Sequence, residues 1–439
     1  MAYCTIEATS VVRHDSRWEM MNHIALIPSL DCPARCEYCF GPRQPSPVMS
    51  EATLKSVAEW ISHIYHEKHL EISFHGGEPL MAGECFFQTA LPLLTKALRD
   101  YHLYFHMQSN LWLLTDELCS LFRYYNIHLG TSLDGPESIN DIQRGRGYFQ
   151  RTMEGIELAR SYGLSIGCIC TLTAQSAHYT KDIFDFFALH QLPFSIRPAA
   201  PSLWHSKADE WSLSPRDGAA SMHKMLRYYI TNMSRVRINT FDIICQSICA
   251  GQGGMCTFTD CLGKYLAVGP EGDIYPCQRF VGLPQYRLGT VNILASKDVI
   301  SSSSAWQLLQ DRENRVEEEC GNCPYFSFCR GGCPYDVLSS NRGTFNHTFR
   351  DPFCIVHKSI FSYIVDTAIE EVFSEYNLCS VVNNPDQSVG LLSRGNILSI
   401  MLAEPRSGHD PPPNNASQTH EKRLSRTIST ESGCHEVVQ

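Results

Sequence analysis

Residues 32–40 read CPARCEYCF, three cysteines at CxxxCxxC spacing. The stretch just before it, HIALIPS (residues 23–29), is a short run rich in apolar and β-branched residues and predicts a strand. The cysteines therefore sit on the loop leaving that strand's carboxyl end. With 20 cysteines in 439 residues, this spacing is expected by chance roughly 0.04 times in such a chain. Three thiolates are one too few to close a tetrahedral zinc site. A four-iron cube held by three cysteines keeps one iron open for a ligand. Zinc or spare thiols are the competing reading.

Working outward, residues 23 to about 200 alternate short β-rich runs with helical patterns. The predicted strands are HIALIPS, EISFHGG, LYFHMQSN, HLGTSLDG, LSIGCICTLT and PFSIRPA. Between them lie helical spacings such as ATLKSVAEWISHIYHEK and CFFQTALPLLTKALRDY, with Ser50 and Thr115 placed as N-caps. Repeated β-then-α units imply parallel strands joined by right-handed crossovers. Periodicity does not choose between an open sheet and an incomplete barrel. Either way, ligands bind at the carboxyl ends of the strands, where CPARCEYCF, HGGEP, QSN and SLDG all fall.

A second cysteine array follows a mainly helical, connecting stretch at 202–255. Cys256 and Cys261 precede Cys277, and CGNCPYFSFCRGGC then supplies Cys320, Cys323, Cys329 and Cys333 before Cys354. Eight thiolates suffice for two fully ligated cubes, which suit electron transfer; zinc is again the alternative. The remaining nine cysteines, Cys168, Cys170, Cys245 and Cys249 among them, are expected as small core residues. Residues 355–376 predict one amphipathic helix. After about residue 404 the chain is polar and is expected to be disordered.

Bulk properties narrow the class. A net charge of −10 argues against a nucleic-acid backbone as main partner. The chain lacks an apolar run long enough for a membrane span, and its first residues lack a signal peptide's apolar core. The expectation is a soluble cytoplasmic protein, whose reducing surroundings favour metal or catalytic use of cysteine over disulfides.

CxxxCxxC after the first strand, with Tyr38 before the last cysteine, resembles the signature of radical S-adenosylmethionine enzymes. The resemblance implies a partial (β/α)6 TIM-type barrel in which Cys32, Cys36 and Cys39 hold a [4Fe-4S] cluster that chelates S-adenosylmethionine. It also implies cofactor contacts from Tyr38, from Gly76, Gly77 and Glu78 in HGGEP, from Asn110 in QSN, from Ser132 in SLDG, and from Arg144 and Ala200. The second array resembles the SPASM domain, which carries two auxiliary [4Fe-4S] clusters. By that resemblance Cys256, Cys261, Cys277 and Cys333 hold one, and Cys320, Cys323, Cys329 and Cys354 the other.

These likenesses divide the chain into an N-terminal extension (1–22), the barrel (23–235), the SPASM region with its closing helix (236–376) and a tail (377–439). They imply a peptide or protein substrate and a reducing partner such as flavodoxin or ferredoxin, with no nucleic acid and no membrane. Anaerobic sulfatase maturases, which make formylglycine, carry an aspartate after the cysteine matched here by Cys277. It is their proposed general base. Here that position is Gln278, and an amide cannot take a proton. The form YPC-x-x-FVG is closer to maturases of ribosomally made peptides, including those that form thioether links. A peptide maturase is thus the leading expectation and a formylglycine former the runner-up, with an iron–sulfur scaffold or redox sensor as the non-enzymatic alternative. Only 22 residues precede the first strand, so leader recognition would fall to the barrel, the SPASM region or another protein.

Overall fold

The computed structural model describes residues 22–42, 45–66 and 68–368. Six parallel strands alternate with helices: β1 (Asn22–Ser29), β2 (His69–Gly76), β3 (His102–Gln108), β4 (His128–Ser132), β5 (Ile166–Leu172) and β6 (Phe194–Pro198). The helices between and after them are α1 (Glu51–Ile64), α2 (Glu84–Ala97), α3 (Asp116–Tyr124), α4 (Glu137–Arg144), α5 (Tyr148–Ser161) and α6 (Thr180–His190). Each expected strand is present. Ser50 and Thr115 cap α1 and α3, accepting from the amides of Thr53 and Leu118.

β2 shows why these residues build a barrel wall. In HLEISFHG, Leu70, Ile72 and Phe74 alternate with Glu71, Ser73 and His75. The apolar set is fully buried, and Phe74 meets Phe87 of α2 edge-on at 5.4 Å between ring centres. Burying a side chain of that size contributes about 1.5–3 kcal/mol. The polar set lines an interior cavity. Helices outside and a polar lumen inside follow from this period of two.

The strand order is β6-β5-β4-β3-β2-β1, continued by β7 (Tyr265–Val268), β8 (Asp273–Tyr275) and β9 (Gly289–Thr290). β7 runs parallel to β1, with His23 opposite Tyr265, so β1 is flanked by β2 and β7 and does not pair with β6. The barrel is therefore partial. The periodicity reading did not register these three strands, because each is only two to four residues long. They join the cysteine-rich region to the barrel in one sheet, and Trp60 of α1 adds a hydrogen bond to the Ala295 carbonyl at 3.0 Å.

The connecting stretch holds α7 (Pro215–Ile230) and α8 (Asn239–Ala250). Beyond the sheet come α9 (Lys297–Ser301), α10 (Ser304–Cys320), α11 (Phe326–Cys329), α12 (Pro334–Ser340) and α13 (Cys354–Tyr363). The helix expected over 355–376 is α13 followed by a π-turn at Ile364–Ala368. Its remainder, the tail and nearly all of the N-terminal extension lie outside the described residues. Cys168, Cys170 and Cys245 are buried as expected; the side chain of Cys249 lies outside the described set. No described helix is long and apolar enough to cross a membrane.

Candidate functional site

The CxxxCxxC loop leaves β1 at Ser29 and is held from three sides. The Glu37 amide donates to the Gln143 carbonyl at 2.8 Å. The loop after β6 grips its far end, with His205 Nε2 2.9 Å from the Gly41 carbonyl and Lys207 paired to Glu37 at 2.7 Å. From β2, the amides of Gly77 and Glu78 donate to the carbonyls of Ser29 and Asp31. A Cβ on Gly76 would lie 2.3 Å from the Ser29 oxygen, and one on Gly77 2.2 Å from the Leu30 oxygen. The two glycines thus admit the backbone that leads into Cys32, a close approach no other residue allows.

Glu78 is buried and ties two strand ends together. It accepts from Leu80 N at 3.0 Å, Ser109 Oγ at 2.7 Å and Asn110 N at 2.7 Å. Burial outweighs these three donors and pushes its carboxyl up to about 7. Asn110, held in this way, directs Nδ2 toward Cys32 Sγ at 4.0 Å. Ser132, at the end of β4, accepts from Gln108 Nε2 at 3.0 Å. Ala200 lies on the loop after β6, on the wall of the interior cavity.

Asp134 organises the other side of the loop. Fully buried, its Oδ2 accepts from Tyr38 Oη at 2.8 Å, Gln143 Nε2 at 2.6 Å and Arg144 Nε at 2.7 Å. Its Oδ1 accepts from Arg144 Nη2 at 2.9 Å and Thr171 N at 2.8 Å. Two of Arg144's three nitrogens are thereby committed, and the third, Nη1, donates to Tyr148 Oη at 3.4 Å and lies 3.9 Å from Cys36 Sγ. The sequence reading assigned no role to Asp134, and it missed α4, which carries Gln143 and Arg144. That helix has no apolar stripe, and its buried positions are Asn140, Gln143 and Arg144. The available signal was the aspartate of SLDG with an arginine ten residues on.

The three thiols of this loop share one space, since Cys32 feels Cys36 and Cys39 as like charges. Burial pushes Cys32 up to about 12 and Cys36 to about 11, the latter opposed by Arg144. Thiolates so disfavoured form against a bound cationic centre, and an all-thiolate set is soft enough for iron–sulfur binding. The donor set fits a three-cysteine cluster.

In the second array the structure brings Cys256, Cys261, Cys277 and Cys333 to the wall of the interior cavity. Cys320, Cys323, Cys329 and Cys354 line a separate one. What separates Cys329 from Cys333 is local: Arg330, Gly331 and Gly332 all have positive φ, at 52°, 78° and 81°. This left-handed run reverses the chain, and Asp351 Oδ2 then accepts from the Cys333 amide at 2.7 Å. A Cβ on Gly332 would sit 2.2 Å from Asp351 Cβ, so glycine is required there. Arg312, buried in α10, fixes the same turn through the carbonyls of Gly331, Gly332 and Phe349. Among the described residues no three His, Cys, Asp or Glu side chains converge on a single metal ion.

The interior cavity, about 600 Å³, joins the two regions. Tyr38 and Phe40 enter it from the CxxxCxxC loop, and Gln278 and Arg279 from the second region. Arg279 stacks on Tyr335 at 3.8 Å, faces Phe40 at 5.4 Å and pairs with Asp336 at 2.6 Å. Its Nη1 lies 3.8 Å from Cys333 Sγ. The sequence reading did not single out Arg279.

Comparison with known proteins agrees with this arrangement. The Radical SAM superfamily model matches residues 26–187, and that of SPASM, an iron–sulfur cluster-binding domain, matches 256–324. An uncharacterized protein of Methanothermobacter thermautotrophicus is 39% identical over 228 residues, 52% of this chain and 87% of that protein. A cysteine-type anaerobic sulfatase-maturating enzyme of Clostridium perfringens is 24% identical over 352 residues, 76% of this chain and 94% of the relative. The solved structure of native anSMEcpe with bound AdoMet and Kp18Cys peptide superposes with a TM-score of 0.70 at 22% identity. The match covers 80% of this chain and 99% of that one, a likeness of fold. With three thiols at the mouth of a partial barrel and eight more in the region stitched to its edge, the chain belongs to the radical SAM superfamily and carries a SPASM iron–sulfur cluster-binding domain.

Proposed function

We propose that this radical SAM enzyme is a peptide or protein maturase. The observation that carries the reading is the single cavity running from Tyr38 and Phe40, beside Cys39, to Cys256, Cys261, Cys277 and Cys333. Its volume of about 600 Å³ accommodates a peptide segment beside a small cofactor. The sulfatase-maturating relative and the peptide-bound neighbouring structure support a peptide as the occupant.

In this reading Cys32, Cys36 and Cys39 hold a four-iron cluster, and the two SPASM sets hold one each. Tyr38, Gly76, Gly77, Glu78, Asn110, Ser132, Arg144 and Ala200 form the cradle for S-adenosylmethionine. A cluster and S-adenosylmethionine held there would supply radical chemistry for taking hydrogen from a peptide residue, given an electron from a donor such as flavodoxin or ferredoxin. The chain's own contribution is positional. Asp134 fixes Tyr38 and Arg144 by three of its five hydrogen bonds, and Arg144 Nη1 is turned toward Tyr148 Oη and Cys36 Sγ at the cluster loop. Glu78 locks the loops after β2 and β3 together, so that Asn110 and the HGGEP backbone face the same space.

Gln278 lines the cavity next to Cys277 and cannot accept a proton, which favours cross-linking or another peptide modification over formylglycine formation. The sulfatase-maturating relatives favour the second reading. The carboxylates on this wall are already paired, Glu313 and Asp336 to arginines and Glu71 to His23.

The test is anaerobic iron and sulfide analysis with S-adenosylmethionine cleavage, on wild type and on the Cys32/Cys36/Cys39→Ala variant. Expected are about twelve irons against about eight, with deoxyadenosine from the wild type alone. About four irons in the wild type would overturn the auxiliary clusters. Formylglycine in a sulfatase-derived peptide would decide for the second reading.

A further inference from the structure

Of the Glu, Asp and Arg side chains that line the interior cavity, all but one have an ionisable partner of opposite kind. Glu71 is held by His23, 3.1 Å from Nδ1. Glu313 is held by Arg312 at 2.9 Å, and Asp336 by Arg279 at 2.6 Å. Burial holds the imidazoles of His75 and His357 down at about 4, so both are neutral. That leaves Arg197, an exposed residue on β6 near its carboxyl end that lines the cavity. Its polar contact among the described residues is a 3.3 Å hydrogen bond from Nη1 to the hydroxyl of Thr257, beside Cys256.

A second observation points to the same kind of ligand. Arg279, on the wall of this cavity, has a buried Nε with no hydrogen-bond partner. A guanidinium without a carboxylate and an unmatched N–H together ask for an occupant rich in acceptors. Between them the walls are largely apolar, with Met222, Ile244, Phe353 and Ile360. An anion is therefore held by few, strong contacts.

We propose that Arg197 anchors a carboxylate of the peptide substrate and thereby selects peptides carrying an acidic group near the residue that reacts. This rests on the peptide-maturase reading above. Arginine suits the role because its fork meets both oxygens of a carboxylate, which a lysine ammonium cannot do. The carboxylate is an Asp or Glu side chain or the peptide's own C-terminus.

The experiment uses the full-length enzyme, reconstituted anaerobically with S-adenosylmethionine, and two pooled synthetic hexapeptide libraries. One library has free C-termini and the other amidated C-termini. Peptides retained by wild type, Arg197→Gln and Arg197→Lys are counted by mass spectrometry, with iron content confirming that each variant is loaded alike. Wild type is expected to enrich acid-bearing peptides, against the repulsion of a protein of net charge −10. Arg197→Gln is expected to lose that enrichment roughly ten- to a hundredfold, and Arg197→Lys to retain part of it. Enrichment of Asp or Glu from the amidated library assigns a side-chain carboxylate; enrichment confined to the free-ended library assigns the C-terminus. Retention without acidic preference, or a preference unchanged in Arg197→Gln, overturns the proposal and leaves the peptide reading standing. Retention of no peptide from either library overturns both.

Discussion

Replacing Asp134 by Asn is the sharpest perturbation of this site, because it keeps the shape and removes only the charge. The carboxylate accepts five hydrogen bonds, three on Oδ2 and two on Oδ1, and all five come from donors. An amide placed with its nitrogen at Oδ1 meets Arg144 Nη2 and Thr171 N head-on. Turned the other way, it meets Tyr38, Gln143 and Arg144 Nε. Either orientation strands donors, and it leaves the guanidinium of Arg144, itself 5% exposed, without its counter-charge. Removing one partner of a buried pair costs about 3–5 kcal/mol. Tyr38→Phe removes a single hydrogen bond to the same carboxylate and should cost about 1.5–3 kcal/mol. The assay is urea unfolding under argon, followed by tryptophan fluorescence on protein of matched iron content. Asp134→Asn should be the more destabilising, and Asp134→Asn/Arg144→Met should recover part of the loss, since no orphan charge then remains. An Asp134→Asn cost below about 1 kcal/mol, or a double variant worse than the sum of its singles, would refute the reasoning.

Three further outcomes follow from the same geometry. Gly77→Ala puts a methyl 2.2 Å from the Leu30 carbonyl oxygen, so the backbone entering Cys32 must move by about 1 Å. Anaerobic iron analysis should show about four irons lost, and full retention would contradict the close-approach argument. Cys333→Ala should abolish the same electron paramagnetic resonance signal as Cys261→Ala, and Cys329→Ala a different one; matching losses for Cys333 and Cys329 would reverse the assignment. Burial raises Glu78 from 4.5 to about 7, so the folded state binds its proton more tightly than the unfolded chain does. Relative to Glu78→Gln, wild-type stability should be greatest below about pH 4.5 and fall by roughly 3 kcal/mol as pH rises to about 7. Parallel stability–pH curves for the two proteins would count against a raised carboxyl.

The positions where sequence reading succeeded and where it stopped have different physics behind them. Strands such as β2 were legible because alternation of Leu70, Ile72 and Phe74 with Glu71, Ser73 and His75 reports a local period directly. α4 was not, because its buried face is polar and is satisfied by Asp134 and the Cys36–Glu37 loop, partners far away in sequence. HGGEP was read as a source of cofactor contacts. What approaches it is the chain's own backbone at residues 29–31, a fact carried by the packing of two adjacent strand ends. Arg279 and Arg197 stood in stretches quoted for other reasons, and only the cavity shows which of them has a carboxylate beside it and which does not.

By itself the sequence determined the alternation of strands and helices, the loop that carries three thiols and the presence of a second thiol array. These depend on period and spacing, which are properties of neighbouring residues. Tertiary structure decided the rest. It extended the barrel's sheet through β7, sent Cys333 to one cavity and Cys329 to another across three left-handed residues, and committed Arg144 to Asp134. Each of these outcomes turns on which distant groups meet once the apolar faces are buried, and hydrogen-bond satisfaction inside that buried space then selects one arrangement.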